Sequence, residues 1–335
     1  MSFLKSWLLR QNCHINIIPI IESYIPPIWK WFVFKYVKCD FSEKGGFFDK
    51  YLSTDQLQKR FTNKLAEAGL LELLKWARAD FPGEKVCHWD TWTCAYAAGN
   101  GHLEVLKWAR ADFHGEKICP WSHWTCAYAA KGGHLEVLKW ARADFHGDKV
   151  CPWSTLVCSL AAENGHLEII KWARADFHGD KVCPWNHRTC TNAAENGHLE
   201  VLKWARSDIH GDKICPWDED TCSGAAQNGH LEVLKWLRAD FHGDKVCPWD
   251  ENTCRYAAVS GHLEVLKWAR DNGCIWDAHT CAWAAYSGHL EILQWLRADI
   301  HGDKVCPWDE NTCAYAAENG HLEVLKWARA NGCPE

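Results

Sequence analysis

An excess of positive charge is missing from this chain. Its formal net charge is −6, from 37 Lys and Arg against 43 Asp and Glu. Nothing overall therefore attracts a nucleic-acid backbone. The balance is uneven: residues 1–61 hold nine basic and five acidic side chains, or +4, which leaves −10 for the rest. A long apolar run is missing too. The stretch "INIIPIIESYIPPIWKWFVF" is broken by Glu22, Pro26, Pro27 and Lys30, which excludes a membrane span there. The opening "MSFLKSWLLRQNCHINIIPI" has no apolar core followed by a small-residue cleavage site, so no secretory leader is expected. A glycine-rich phosphate loop is also lacking, because the glycines act as punctuation.

Cysteine, by contrast, is plentiful at 19 residues. Without a leader the expected location is intracellular and cytoplasmic, where thiols stay reduced. Free cysteines are expected. With 47% hydrophobic residues, the chain can bury a large core, as two domains or one array.

What the sequence does contain is one short phrase written nine times. Glycines at 69, 101, 133, 165, 197, 229, 261, 288 and 320 each precede a near-identical run. Their spacing is 32 six times, then 27, then 32. Two apolar segments per period indicate a helical solenoid in which each unit touches only its neighbours. In "GHLEVLKWARADF", residues 101–113, Val105, Leu106, Trp108 and Ala109 form a broad apolar arc at helical spacing. Glu104 and Lys107 fall on the wet face as an i,i+3 pair. Arg110 sits at the edge of the arc, where its head is expected to reach an acid.

The segment before each glycine, such as "TCAYAAEN" at 312–319, reads as a second, shorter helix. Its threonine is expected to be the N-cap. Thr, Cys, Ala and Ala hardly vary from unit to unit and should pack inward. The remaining positions wander: Tyr96, Tyr128, Leu160, Asn192, Gly224, Tyr256, Trp283 and Tyr315 at the middle one. Ala95, Ser159, Thr191 and Arg255 stand just before it, and Gly99, Lys131, Glu195 and Tyr286 three residues after. The letters change on one face, and it is not the packing face.

The phrase "AAENGHLEVLKWARANG" resembles the ankyrin-repeat family, and the likeness covers about residues 61–335. It implies paired antiparallel helices, a concave groove, and protein binding without catalysis. The wording "CPWDENTCAYAA" is similar to Trp- and Cys-rich ankyrin proteins encoded by giant viruses of protists. If the chain is viral, its partner is expected to be a host protein in host cytoplasm. The expected fold is thus all-α, an ankyrin-type helical solenoid of about nine repeats. One departure is "TCAY", which puts Cys where the family has Leu and Ala where it has His. Another is the linker: long units end "RADFHGDKVC", while unit 261–273 ends "RDNGC". The simplest reading extends the second helix by two residues, placing Phe113 in line with Leu106. A hairpin around "HG" is the competing reading.

Several residue types tempt a chemical reading. Eight Cys pairs recur seven apart, from Cys87/Cys94 to Cys306/Cys313, and in six units a His precedes the pair, as His114 precedes Cys119. His plus two Cys falls short of zinc's four ligands, so no metal and no cofactor is expected, and the cysteines read as small buried hydrophobes. The His after each glycine, such as His102 or His321, recurs as a structural residue would. Of 23 tryptophans, the series of Trp108 and of Trp121 should close seams between units. Trp92, Trp124 and Trp283 stand apart, near or on the short helix, as anchors for a partner. The expected partner-binding set is Trp92, Tyr96, Trp124, Tyr128, Leu160, Arg188, Asn192, Arg255, Tyr256, Trp283 and Tyr286.

Residues 1–60 lack the repeat. Either they form a helical cap on the first unit or, because "IESYIP" and "VKCDF" resemble an F-box, they form a module that would recruit a Skp1-type adaptor. At the other end, the last unit keeps the internal wording. Val324, Leu325, Trp327 and Ala328 show no polar replacement, so an uncovered apolar face is expected, and with it weak end-to-end self-association or capture of a partner through the last unit.

Overall fold

In five repeats an acid (Asp90, Asp218, Asp250, Asp277 and Asp309) sets the start of the short helix, ahead of the threonine expected there, while Ser154 and Asn186 hold that place in two others. The computed structural model describes residues 55–78, 87–111, 118–143, 150–175, 182–207, 214–239, 246–298 and 305–334. Among these, regular structure is helical throughout, in nine pairs. The chain divides into two compact units, 1–125 and 126–335. In the first, α1 (Asp55–Glu67) pairs with α2 (Leu71–Arg78), and α3 (Thr91–Gly99) with α4 (Leu103–Ala109). Next come α5 (His123–Lys131), in which the division falls, and α6 (Leu135–Ala141). The second unit continues with α7 (Thr155–Glu163), α8 (Leu167–Ala173), α9 (His187–Glu195), α10 (Leu199–Ala205), α11 (Glu219–Gln227) and α12 (Leu231–Leu237). It ends with α13 (Glu251–Val259), α14 (Leu263–Asp271), α15 (Ala278–Tyr286), α16 (Leu290–Leu296), α17 (Glu310–Glu318) and α18 (Leu322–Ala330). The architecture is all-α, of the ankyrin-type solenoid class, as the repeat implied.

The threonine is not the N-cap. In α3 the cap is Asp90, whose carboxylate accepts from Trp92 N–H, while Asp90 N–H donates to Thr93 Oγ1 at 3.3 Å. Thr93 is therefore the third helical residue of a capping box, and the pairs Asp218/Thr221 and Asp277/Thr280 repeat it. Where an acid stands three residues upstream it outcompetes the hydroxyl for the first free N–H groups, and the helix gains most of a turn. At the far end His102 N–H donates to Ala97 O at 2.9 Å and Gly101 N–H to Ala98 O at 3.1 Å. This six-residue wrap needs a left-handed residue, supplied by Gly101 at φ 74°.

The second helices also depart from expectation. In long units they end early, at Ala109 in α4, whereas α14 of the short unit reaches Asp271. Long and short units close alike all the same: Ala109 O receives Cys119 N–H at 3.0 Å from the far side of the loop, and Ala269 O receives Cys274 N–H at 3.0 Å. Arg110 seals that junction: its Nη1 donates to Cys119 O at 2.6 Å and its guanidinium lies 4.1 Å from the Trp121 ring. Its head thus reaches a carbonyl and a ring rather than an acid. Phe113 and the competing hairpin lie outside the described residues, as does His114.

First helices stack side by side on first helices of neighbouring repeats within each unit. Leu202, Leu234, Leu266 and Leu293 are fully buried beneath them, with the repeated alanines and cysteines. The 17 described cysteines are all free and buried. Burial and hydrogen bonding to Cys158 push the Cys183 thiol far up, and Cys247 behaves alike. Tryptophans close the seams: Trp153 meets Trp172 edge-on at 5.8 Å, and Trp217 meets Trp236 at 6.1 Å. They are half-buried, forming a ladder along the surface rather than a core. The Glu104–Lys107 pair forms as expected, at 2.7 Å.

Helix α1 straddles the boundary expected at residue 61; the F-box-like segment lies outside the described residues. In the last pair, Val324, Leu325 and Ala328 are buried, contrary to expectation, because α17 and the preceding pair cover them. Leu322, at 60% exposure, with Ala314 and Ala317, is what remains open.

Candidate partner-binding face

The histidines that follow each glycine fix the register between repeats. The His230 ring reaches back to the preceding repeat, where Nε2 donates to Glu195 O at 3.0 Å. It lies so close over Gly197 that a Cβ there would stand 2.9 Å from ring atoms. His102 on Glu67 O and His198 on Glu163 O repeat the bond. The cysteines are spent likewise: Cys247 Sγ donates to Asp218 O at 3.4 Å, and Cys222 Sγ to Cys247 O at 3.9 Å. Among the described residues no cluster of three or more His, Cys, Asp or Glu could hold a metal. These polar groups hold backbone, and their repetition has that cause.

With the inward side of each short helix committed, its outward side is free to vary. One supposed outward position is not outward. Ala95, Ala127, Ser159, Ser223 and Ala282 are buried, because the position after the cysteine faces the next short helix. Where a larger residue occupies it, the side chain bridges repeats: Thr191 Oγ1 meets Thr221 Oγ1 at 3.2 Å. Arg255 does so as an ion pair. Its Nε donates to Asp277 Oδ1 at 3.0 Å, its Nη2 contacts Asp277 Oδ2, and its Nη1 donates to Asn252 Oδ1 at 2.9 Å. Burial raises the Asp277 carboxyl, but hydrogen bonds and charge from Arg255 outweigh it and hold the group below its usual 3.8. Hydrogen bonding to Asp277 raises the Arg255 guanidinium in turn.

The middle position does face outward, and in the first unit it carries a stack. Trp92 lies over Tyr96 at 5.8 Å and over Trp124 at 5.9 Å, with planes within 30° of parallel at 29° and 27°. In the second unit Tyr128 and Leu160 are half-buried and Arg188 is exposed. Asn192 is tied to the preceding repeat, its Nδ2 donating to Ser159 O at 3.1 Å. At Gly224 the side chain vanishes, and the Glu195 chain lies over the gap. Beyond it the surface becomes aromatic: Tyr256, Trp283 and Tyr286 are 41%, 37% and 42% exposed.

Three of these rings meet. Trp283 and Tyr286 are 5.3 Å apart, and Tyr315 lies 6.1 Å from Trp283 and 6.0 Å from Tyr286. Tyr315 was absent from the expected set, although it shares the register of Tyr256 and Trp283. Of the expected residues, the structure brings Trp92, Tyr96 and Trp124 into a stack in the first unit and Trp283 and Tyr286 of α15 into a cluster with Tyr315 of α17. Arg188 stands alone, and Asn192 and Arg255 are engaged within the protein.

The family model for ankyrin repeats (many copies) matches residues 254–297 and 281–329, the stretch that holds this cluster. The remaining described repeats have the same pair of helices. No curated protein matches the chain in sequence. Among solved structures it is similar to the pentatricopeptide repeat protein PPR10 in complex with an 18-nt psaJ RNA element, at 11% identity and a TM-score of 0.43. It is similar also to the structure of that repeat protein from maize, at 13% identity and a TM-score of 0.37. Each match covers 95% of this chain and 53% of the other, so the chain spans about half their length. At that level the likeness is one of stacked helices and says nothing of ligand. No described helix is long and apolar enough to cross a membrane.

Proposed function

We propose that the chain is a non-enzymatic protein-interaction scaffold whose short-helix face binds a partner protein. The observation that carries this is the placement of Tyr256, Trp283 and Tyr286. Large aromatic side chains stand exposed on helices whose other side is held to Ala, Cys and Thr. Exposed rings cost solubility, whereas aromatic anchors dominate protein interfaces. The repeated His and Cys, the groups best suited to chemistry, are used up in inter-repeat hydrogen bonds. Binding is therefore the function, and the wording shared with viral ankyrin proteins supports a host protein in the cytoplasm as the partner.

Affinity purification of the full chain from host cells tests this. The partner captured by the native chain should be lost from the Trp283→Ala/Tyr286→Ala double variant, each anchor being worth about 2 kcal/mol or more. Retention by the double variant, combined with loss on changing Lys139 and Lys203 on the second-helix face, would overturn it.

A further inference from the structure

The aromatic cluster has a charge environment that selects its occupant. Segments 250–260, 277–287 and 309–319 are the short helices α13, α15 and α17 with their caps. They carry six carboxylates, Asp250, Glu251, Asp277, Asp309, Glu310 and Glu318, against the single guanidinium of Arg255. That guanidinium is already held by Asp277 and Glu251. Glu310 and Glu318 are exposed and make no ion pair among the described residues. Glu318 follows Tyr315 by one turn and occupies the register of Tyr286 one repeat on. Neighbours in that register do touch, since Lys131 and Glu163 approach to 4.0 Å.

An exposed aromatic surface rimmed by free carboxylates repels phosphate and favours a cation that can stack. Arginine fits best, because its plane lies on a ring while its edge pairs with a carboxylate. The protein stacks arginine on rings internally, with a carbonyl in the place of the carboxylate: Arg206 lies 3.8 Å from the Trp217 ring and donates to Cys215 O, and Arg238 lies 4.1 Å from Trp249. We propose that the Trp283–Tyr286–Tyr315 cluster, with Glu318, docks an extended, arginine-containing segment of the partner protein. This rests on the scaffold reading and adds the chemical class of what is bound.

The test uses the full chain and a fluorescein-labelled peptide of alternating Gly and Arg, with a citrulline version of the same peptide. Citrulline keeps the shape and removes the charge. At about 0.15 M salt, where distant charges are screened, the arginine peptide should bind at least tenfold more tightly. Trp283→Ala should weaken it about tenfold, which corresponds to one good cation–π contact. Glu318→Arg, an exposed change that leaves the fold intact, should do the same, and Glu136→Gln on the second-helix face should change nothing. Equal binding of the two peptides overturns the proposal, as does an equal effect of Trp283→Ala and Glu136→Gln. So does tighter binding of a single-stranded RNA oligomer than of the peptide at the same site. A random peptide library selected on the full chain separates this from the scaffold reading. Acidic or apolar peptides that are lost with Trp283→Ala sink the arginine class and leave the face standing, while peptides indifferent to Trp283 and Tyr286 sink both.

Discussion

Adding one methyl group at Gly197 tests how the repeats are joined. The residue sits at φ +74°, which an alanine adopts only at a cost of about 1–2 kcal/mol. Its new Cβ would also lie 2.9 Å from Cε1 and Nδ1 of His230. The ring must move, which breaks the 3.0 Å bond to Glu195 O and forfeits about 1 kcal/mol, with about 1 kcal/mol more for the local misfit. Gly197→Ala should therefore cost about 3–4 kcal/mol, from the sum of these terms. Two controls separate them. Gly320 has the same backbone, φ +75°, but nothing within 4 Å of its added Cβ, so Gly320→Ala should lose only about 1–2 kcal/mol. In a His230→Ala background the clash is gone, and Gly197→Ala should again cost only about 1–2 kcal/mol. Urea unfolding followed by tryptophan fluorescence reads all four proteins. Equal costs of Gly197→Ala in the two backgrounds would refute the histidine as the register-setting contact.

Other changes follow from the same packing. Leu234→Ala empties a fully buried site and should cost about 3–5 kcal/mol by urea unfolding, while Leu322→Ala, 60% exposed, should stay within about 0.5 kcal/mol. A small loss at Leu234 would contradict the buried-core assignment. Mass-resolved alkylation should label Cys333, whose thiol burial pushes up only to about 12, before Cys247, which is labelled only as the chain unfolds. Prompt labelling of Cys247 would contradict that. Because Arg255 holds Asp277 below 3.8, this group's contribution is fully present above that pH and lost as pH falls through the depressed value. Asp277→Asn keeps a capping side chain, so its deficit against the native chain should shrink between pH 7 and about pH 3. A deficit that grows on acidification would reverse the sign.

The repeat made the fold legible. A constant Ala-Ala before Gly-His-Leu names the tight helix packing, the left-handed glycine and the seam. The details misread from sequence were those decided across a turn. Thr93 looked like a cap until Asp90, three residues upstream, took that role. Arg110 was expected to find an acid, but the loop returns Cys119 O and Trp121 to it first. The second helix was expected to lengthen in long units, but it ends at Ala109 there and at Asp271 in the short unit. On the candidate face, variation pointed to Tyr256, Trp283 and Tyr286. It could not show that Arg255 is consumed by the next repeat's cap, or that Tyr315 completes the cluster. Both depend on which side chains of adjacent repeats touch.

The account stands most directly on which face of the paired helices meets the partner. A photoreactive benzophenone side chain placed at Tyr286, on the short-helix face, or at Lys203, on the second-helix face, reads this in the full chain within host cells. The short-helix assignment predicts a discrete cross-linked protein from position 286 and none from position 203. A cross-link from position 203, with none from 286, would contradict it.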